Sequence, residues 1–548
     1  MGIYAMIIYV IKLNRKKEQT CQNRTRRKKN TQDLFLTEVL TPETRLAFNF
    51  SRKGGEFLIM RCKRLLGVLF LILLGIFMFI SSAAAVDYTY VGINDGEWTT
   101  PTNWYPVPAT YPSGDVSAGI TKGVNVYLNS GLALNGLQVD QGNSLTFESG
   151  LIYTLSGTNP YITNNGTITL NPNNSYFQLN DGLTATFTGT GMIKMVPGSA
   201  IYGGTTALYI NDSGHTIRGS GTIGANVENY GKIIADGPEL HISGGNNYQV
   251  SQSATGILTT AGAGSLLTMG DNLLLLGGHV NPNGGEVRMD NVSVHNGTIF
   301  GPGKITIGAY GASGVFPLGD FTTAADITIT KGATLDIYGN STITNTGKIL
   351  VDSNGVTQLR AHDNTVVFTG TGSVVLGGID SRLSQGDQNA NFGNVGQHTI
   401  RGAGTINAPV YNAGTIIAEK GELVINQPIM WAPPPYDPGQ VQVKSGGTLD
   451  VKANVQTGNL AMDPEATLDV ENLQVIALKR DYTFQQQNAA YWSWGAGSAL
   501  QMSGSGEQQQ FLEVGGQDYG LSATGFSNNF NLPALTLANS GTYVILVD

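Results

Sequence analysis

Cysteine is nearly missing from this chain: two thiols, Cys21 and Cys62, stand in 548 residues, and everything after Cys62 has none. Disulfides therefore hold nothing together in the bulk of the chain. Six histidines without cysteines to join them also argue against structural zinc clusters. Positive charge is scarce in the same stretch. Residues 1–86 hold 15 of the 31 Lys and Arg but only 5 of the 39 Asp and Glu, which leaves 16 basic against 34 acidic groups and a net of −18 in the remainder. Nucleic-acid binding needs clustered Lys and Arg to displace phosphate counterions, and scattered single cations exclude it. Helical periodicity is absent as well, since no useful stretch repeats its apolar residues every 3.6 positions.

Long apolar runs are limited to one. Met60 opens a basic stretch with Arg61, Lys63 and Arg64, followed by the apolar core Leu65–Ile80 and the small residues Ala83, Ala84 and Ala85. That order predicts a Sec-type signal peptide over 60–85. A signal peptide starts at its own methionine, so residues 1–59, with the basic run Arg24–Asn30, read as a non-native upstream extension. The competing reading is a membrane anchor over Leu65–Ala85. The run's ending in three alanines favours cleavage, and with it secretion or surface display, with the membrane met only in transit. Cys62 precedes the apolar core, whereas a lipid-bearing cysteine would follow it.

What is present, from about residue 130, is a succession of four- to six-residue alternating runs, each closed by Gly, Asn, Asp or Ser. Ser144–Phe147, Thr334–Ile337, Thr448–Val451 and Thr467–Val470 are examples, with Leu145, Leu335, Leu449 and Leu468 expected to point inward. Two corner motifs recur. Gly-x-Gly-x-Ile/Val begins at Gly189, Gly219, Gly301, Gly370 and Gly402, and Asn-x-Gly-x-Ile begins at Asn164, Asn229, Asn345 and Asn412. Gly and Asn tolerate positive φ, which marks these positions as turns.

A long block is duplicated. His215–Ile223 (HTIRGSGTI) returns as His398–Ile406 (HTIRGAGTI), and upstream Ala185–Gly191 matches Val366–Gly372 while Ile162–Ile168 matches Ile343–Ile349. Only a stack of like units can be doubled without disturbing its core. Strands this short share an interior when coils of roughly 20 residues stack at about 4.8 Å, which predicts an all-β parallel β-helix of about 15 coils. A β-sandwich array would instead repeat at domain length, about 100 residues. The expected organisation is an N-terminal cap over 86–129, a β-helix over 130–429 with duplicated blocks near 144–245 and 325–428, and C-terminal coils and cap over 430–548. Open stack ends need cover. Trp98, Trp104, Tyr105 and Tyr111 among prolines suit one end; Met430–Gly439 and Tyr491–Gly495 suit the other.

These residues carry a resemblance. Gly96-x-Trp98, Asn103-Trp104 and Pro112-x-Gly114-Asp115, followed by the repeated corners, resemble bacterial exported β-solenoid surface proteins of the autotransporter-passenger and haemagglutinin-like type. They are especially similar to those that end in a PEP-CTERM tail. Gly525–Asp548 is similar to the C-terminal coils of such proteins. The resemblance covers roughly 90–548 and implies a right-handed, pectin-lyase-like solenoid with irregular aromatic caps. The chain departs from the pattern by lacking a PEP tail, an apolar tail helix and an outer-membrane barrel, and Leu532–Thr536 is not a sortase signal. Tyr543–Val547 reads as a strand without a closing turn, which points to truncation at Asp548.

Candidate sites are few. His215 with Arg218, and His398 with Arg401, are the best-placed polar pairs, and strand alternation is expected to put His and Ile on opposite faces. That makes both histidines solvent-facing partners on the same side of two equivalent coils, or a doubled site for a repeating ligand. Gly219–Gly224 satisfies Gly-x-Gly-x-x-Gly but lacks the following helix that a phosphate loop requires. Polysaccharide lyases and hydrolases place carboxylates of neighbouring coils as acid and base. Here Asp290, Asp320, Asp326, Asp336, Asp352, Asp363, Asp380 and Asp387 are spread singly, so no catalytic centre, cofactor or metal is expected. Gly377–Asn391 reads as a solvated acidic loop without calcium-loop order. Trp431, Trp492 and Trp494, with Tyr436, are candidates for stacking on sugar rings or for covering a stack end. Asn165, Asn291, Asn296 and Asn340 head sequons that read as turn chemistry. The expected function is an exported structural or adhesin-like β-helix protein that meets polysaccharide or a host or matrix surface; the runner-ups are a polysaccharide-active enzyme and a carbohydrate-binding surface protein.

Overall fold

The computed structural model describes residues 87–548 apart from 173, 244–248, 254, 271–272, 278, 296–297, 309–313, 317–319, 331, 481, 485–491, 504–509, 515–534, 538–543 and 548. The segment 60–85, expected from the sequence to be a signal peptide, lies outside these, as do both cysteines, Asn296, Tyr491 and most of the last 24 residues. The chain divides at residue 84, and only the second unit is described.

That unit is a parallel β-helix. Four-residue strands fall into three repeating faces. Ser144–Phe147, Thr167–Leu170 and Met192–Met195 pair in parallel on the first. Ile152–Leu155, Tyr176–Leu179 and Ala200–Gly203 do so on the second, and Tyr161–Asn164, Thr184–Thr188 and Leu208–Asn211 on the third. Period-two alternation decides what each strand buries: in Ser144–Phe147 the second and fourth side chains are inside, and the same order holds on the strands beside it. Leu145, Leu335, Leu449 and Leu468 all point inward as expected. Each such aliphatic side chain contributes about 1.5–3 kcal/mol by leaving water. Aromatic rings thicken the interior, with Phe147, Tyr153 and Phe177 in mutual contact at centroid separations of 5.2–5.7 Å.

Some strands run through a corner. Thr216–Gly224 pairs with Met192–Met195 on the first face and with Ala200–Gly203 on the second, and Thr399–Asn407 behaves in the same way one copy later. The bend falls at Gly219 and Gly221, and at Gly402 and Gly404, all at positive φ. There the Gly-x-Gly corners act as the sequence predicts.

Three expectations need correction. The segment 86–129 is not only a cap, because Gly114–Ile120 and Asn125–Leu128 already pair in parallel with the coils that follow. Of its aromatics, Trp98 and Trp104 are fully buried with ring centroids 4.4 Å apart, and Tyr111 packs partly buried against the core, whereas Tyr105 is exposed; Tyr88–Tyr90 pairs antiparallel with Trp104–Tyr105. The proline-rich stretch after Trp431 does not end the stack. It is an exposed lateral loop between Ile429–Trp431 and Gln440–Val443, and parallel coils continue beyond it. Gly377–Asn391 is mostly strand, since Ser373–Gln385 runs through it with a bulge between Gly377 and Arg382. Its acidic residues lie on that bulge and in the turn at 386–390, which gives a strand the composition of a loop.

Candidate functional site

The doubled polar residues occupy the interior. His215 and His398 are fully buried, which overturns their assignment to the solvent face. Residues two apart on a strand share a face, so His215 goes in with Ile217 while Arg218 goes out. Nor do the two copies line one side of the stack. Following the pairing from Thr222 through His241, Thr268, Arg288, Thr306, Thr328, Leu350 and Val375 leads in eight steps to Arg401. Arg401 is the duplicate of Arg218, one face earlier than Thr222, so the second copy is turned by one face.

Each histidine is a link in a buried chain of amides. His215 Nδ1 lies 2.7 Å from Asn211 Oδ1, and Asn164 Nδ2 lies 3.2 Å from His215 Nε2. Asn211 then donates to Asn229 Oδ1 at 2.7 Å, and Asn229 to Gln252 Oε1 at 3.4 Å. The second copy repeats this: His398 Nδ1 to Asn394 at 2.8 Å, Asn345 to His398 Nε2 at 3.1 Å, and Asn394 to Asn412 at 2.8 Å. The imidazoles stack on Phe187 and Phe368. Burial lowers both from 6.5 to about 4, so they are neutral at pH 7. The Asn-x-Gly-x-Ile asparagines thus serve by inward side chains; none of Asn164, Asn229, Asn345 and Asn412 has positive φ.

Outside, the stack assembles one cluster that the linear sequence hides. Asp336 is paired in register with Arg360, and Tyr338 with His362. The Asp336 carboxylate, 6 % exposed, accepts Arg360 Nε at 2.6 Å and Nη2 at 2.9 Å, and His362 Nε2 at 2.9 Å. His362 Nδ1 faces Asp387 Oδ2 at 3.6 Å, beyond hydrogen-bond length. Tyr338 stacks on the imidazole at 4.4 Å, and Gly386 leaves room on its other side, where a Cβ would meet the ring at 2.1 Å. Desolvation first, then Asp336, raises the Tyr338 phenol, while the Asp336 hydrogen bond raises Arg360. The Asp363 amide holds Asp387 below the usual carboxylate range, with His362 adding to it. Asp336 therefore orients His362 and fixes its Nε2–H tautomer, an arrangement suited to proton transfer or to gripping a polar ligand. This brings together Asp336 and Asp387, which the sequence spaces singly. The signal was the spacing of about one coil between Asp336, Arg360 and Asp387.

The three tryptophans are not brought together. Trp431 follows Asn412 on the first face, whereas Trp492 and Trp494 follow Leu468 and Val470 on the third. Trp431 spends its indole N–H on Thr457 O at 3.3 Å, and Lys479 Nζ covers its ring at 4.1 Å. Trp494 packs half-buried against the core. Tyr436 is exposed on the lateral loop. The sequon residue Asn165 accepts the Thr190 amide, Asn291 takes positive φ and Asn340 sits in an exposed turn.

Among the described residues, no three His, Cys, Asp or Glu are grouped to hold a metal ion, and no helix is long and apolar enough to cross a membrane. Comparison with family models, curated proteins and solved structures yields no match.

Proposed function

We propose that this is an exported structural and adhesin-like β-helix protein, displayed on or released from the cell surface, without chemistry of its own. One observation carries the reading: the side chains kept through the duplication, His215, Asn211 and Asn229 with their counterparts His398, Asn394 and Asn412, are spent inside on joining coils. Outward, the doubled block keeps ion pairs, an exposed one of Arg218 with Asp236 and a half-buried one of Arg401 with Glu419. Duplication multiplied frame and surface, which suits a display scaffold better than a catalyst. The signal-peptide pattern over 60–85 supports export, and the resemblance to bacterial β-solenoid surface proteins supports adhesion to polysaccharide or to a host or matrix surface. The test is retention of the protein on acidic and neutral polysaccharides and matrix surfaces, with assay for new reducing ends or unsaturated products. Retention without product is expected, and steady product release would overturn the reading.

The second reading, a polysaccharide-active enzyme, draws on the Asp336–His362 pair. It requires that product release be lost in His362→Gln while binding persists. Pure carbohydrate binding through Trp431, Trp492 or Trp494 is weakened by the spent N–H and covered ring of Trp431 and the packing of Trp494. Retention that survives replacement of each tryptophan would remove it.

A further inference from the structure

Hydrogen-bond direction is fixed at both histidine corners. Asn164 Oδ1 accepts the Gly166 amide at 3.1 Å, which turns its Nδ2 toward His215 Nε2. Asn345 Oδ1 accepts the Gly347 amide at 3.1 Å, and its Nδ2 faces His398 Nε2 while also donating to Ser373 O. On the other side, Asn211 and Asn394 each donate to the next asparagine and so present Oδ1 to the imidazole Nδ1. Each imidazole must therefore donate through Nδ1 and accept through Nε2. A proton on Nε2 would set N–H against N–H. Rotating the amide to relieve this would break the bond to the half-buried Gly166 or Gly347 amide, at a cost of about 1 kcal/mol.

Among the described residues, no acidic side chain is hydrogen-bonded to either imidazole. Around His215, the charged groups of the packed strands, Lys194, Asp212, Arg218, Glu228 and Lys232, hold non-buried positions, and Tyr209 donates its hydroxyl to Tyr202 O. Around His398, Lys348, Arg401, Glu419 and Tyr411 likewise stand outside the core. The His215 ring stacks on Phe187 and the His398 ring on Phe368.

We propose that His215 and His398 are paired acid-release latches: protonating either imidazole at Nε2 opens the coil corner it closes, exposing strand edges there while the other coils stay shut. The same geometry appears twice, at corners separated by eight coils and turned by one face, so the device opens the stack at two places and in two directions. Burial supports this by making the folded imidazole roughly 300-fold harder to protonate than a free one, from 6.5 to about 4. Protonation therefore occurs through the open corner.

The test is amide hydrogen exchange of the full chain at pH 7 and pH 5, corrected for intrinsic rate and resolved by segment. Protection of 211–231 and 394–414 should fall roughly 20-fold between the two, as linkage to a group of ordinary pKa 6.5 requires. Segments 125–155 and 447–470, which hold no latch residue, should hold theirs. His398→Gln removes the titrating group at one corner, so 394–414 should lose its acid response while 211–231 keeps its own. Uniform loss of protection across all four segments would overturn the proposal, as would an unchanged acid response of 394–414 in His398→Gln. If that variant fails to fold, the wild-type imidazole signals decide: both should remain neutral in the closed protein at pH 6, and a protonated imidazole with protection intact would sink the latch.

Discussion

At the scale of the residue, buried amides carry what disulfides do not. Asn211 accepts from His215 and donates to Asn229 and to Lys232 O in the next coil. Asn211→Ala would strand the buried His215 Nδ1–H and Asn229 Oδ1, at a cost of about 2–4 kcal/mol for two orphaned groups. Arg218→Ala removes an exposed pair and should cost about 0–1 kcal/mol. Urea midpoints of the two variants should separate them clearly; equal midpoints would show that the ladder adds nothing. The histidines add a pH dependence whose sign follows from their lowered pKa. Above 6.5 the folded and unfolded chains are both neutral there, and stability is complete. As pH falls below 6.5 the unfolded chain takes up protons that the folded chain refuses, and stability drops until about pH 4, by about 3 kcal/mol for each histidine. Glu286 and Asp387, held below their ordinary range, lose their contribution only in stronger acid. The urea midpoint should therefore fall between pH 7 and pH 5, and fall less when both histidines are glutamine.

At the scale of the element, the turns use glycine in two ways that a motif does not distinguish. Gly446 and Gly182 have positive φ with nothing within 4 Å of an added Cβ. Gly231 has no such dihedral, yet a Cβ there would lie 2.3 Å from His215 O and 2.4 Å from Asp212 O of the preceding coil. Gly446→Ala should cost about 1–2 kcal/mol and Gly446→Asn less, because only the left-handed backbone is at stake. Gly231→Ala forces backbone apart and should cost more, about 2–3 kcal/mol, with asparagine no remedy. Thermal midpoints of the three variants test this, and rescue by Gly231→Asn would contradict it. The inward leucines and the Gly-x-Gly corners were legible because period two and positive φ are local properties. The same period puts His215 inside beside Ile217, against the expectation of a solvent-facing histidine. The Asp336 cluster was not legible, because coil length varies: Thr216 pairs with Lys232, and Lys232 with Ile257. A reader of the line cannot know which residues share a rung until every preceding turn is placed.

At the scale of the molecule, the duplication does not coincide with the turn of the helix. Equivalent residues such as Arg218 and Arg401 stand on different faces, whereas Thr222 and Arg401 share one ladder eight steps apart. A partner that recognises the doubled surface would therefore meet it twice in different directions, so one flat surface cannot engage both copies face-on. This bears on avidity: two modules gain effective concentration only when one partner reaches both. Spin labels make the geometry measurable. Labels at Thr222 and Arg401 lie on one face, with a separation close to the axial rise of eight rungs, about 40 Å at ~4.8 Å each. Labels at Arg218 and Arg401 add the displacement across the stack and should give the longer distance. A shorter 218–401 than 222–401 distance would mean that the copies superpose by whole turns, and would return the doubled block to a single binding side.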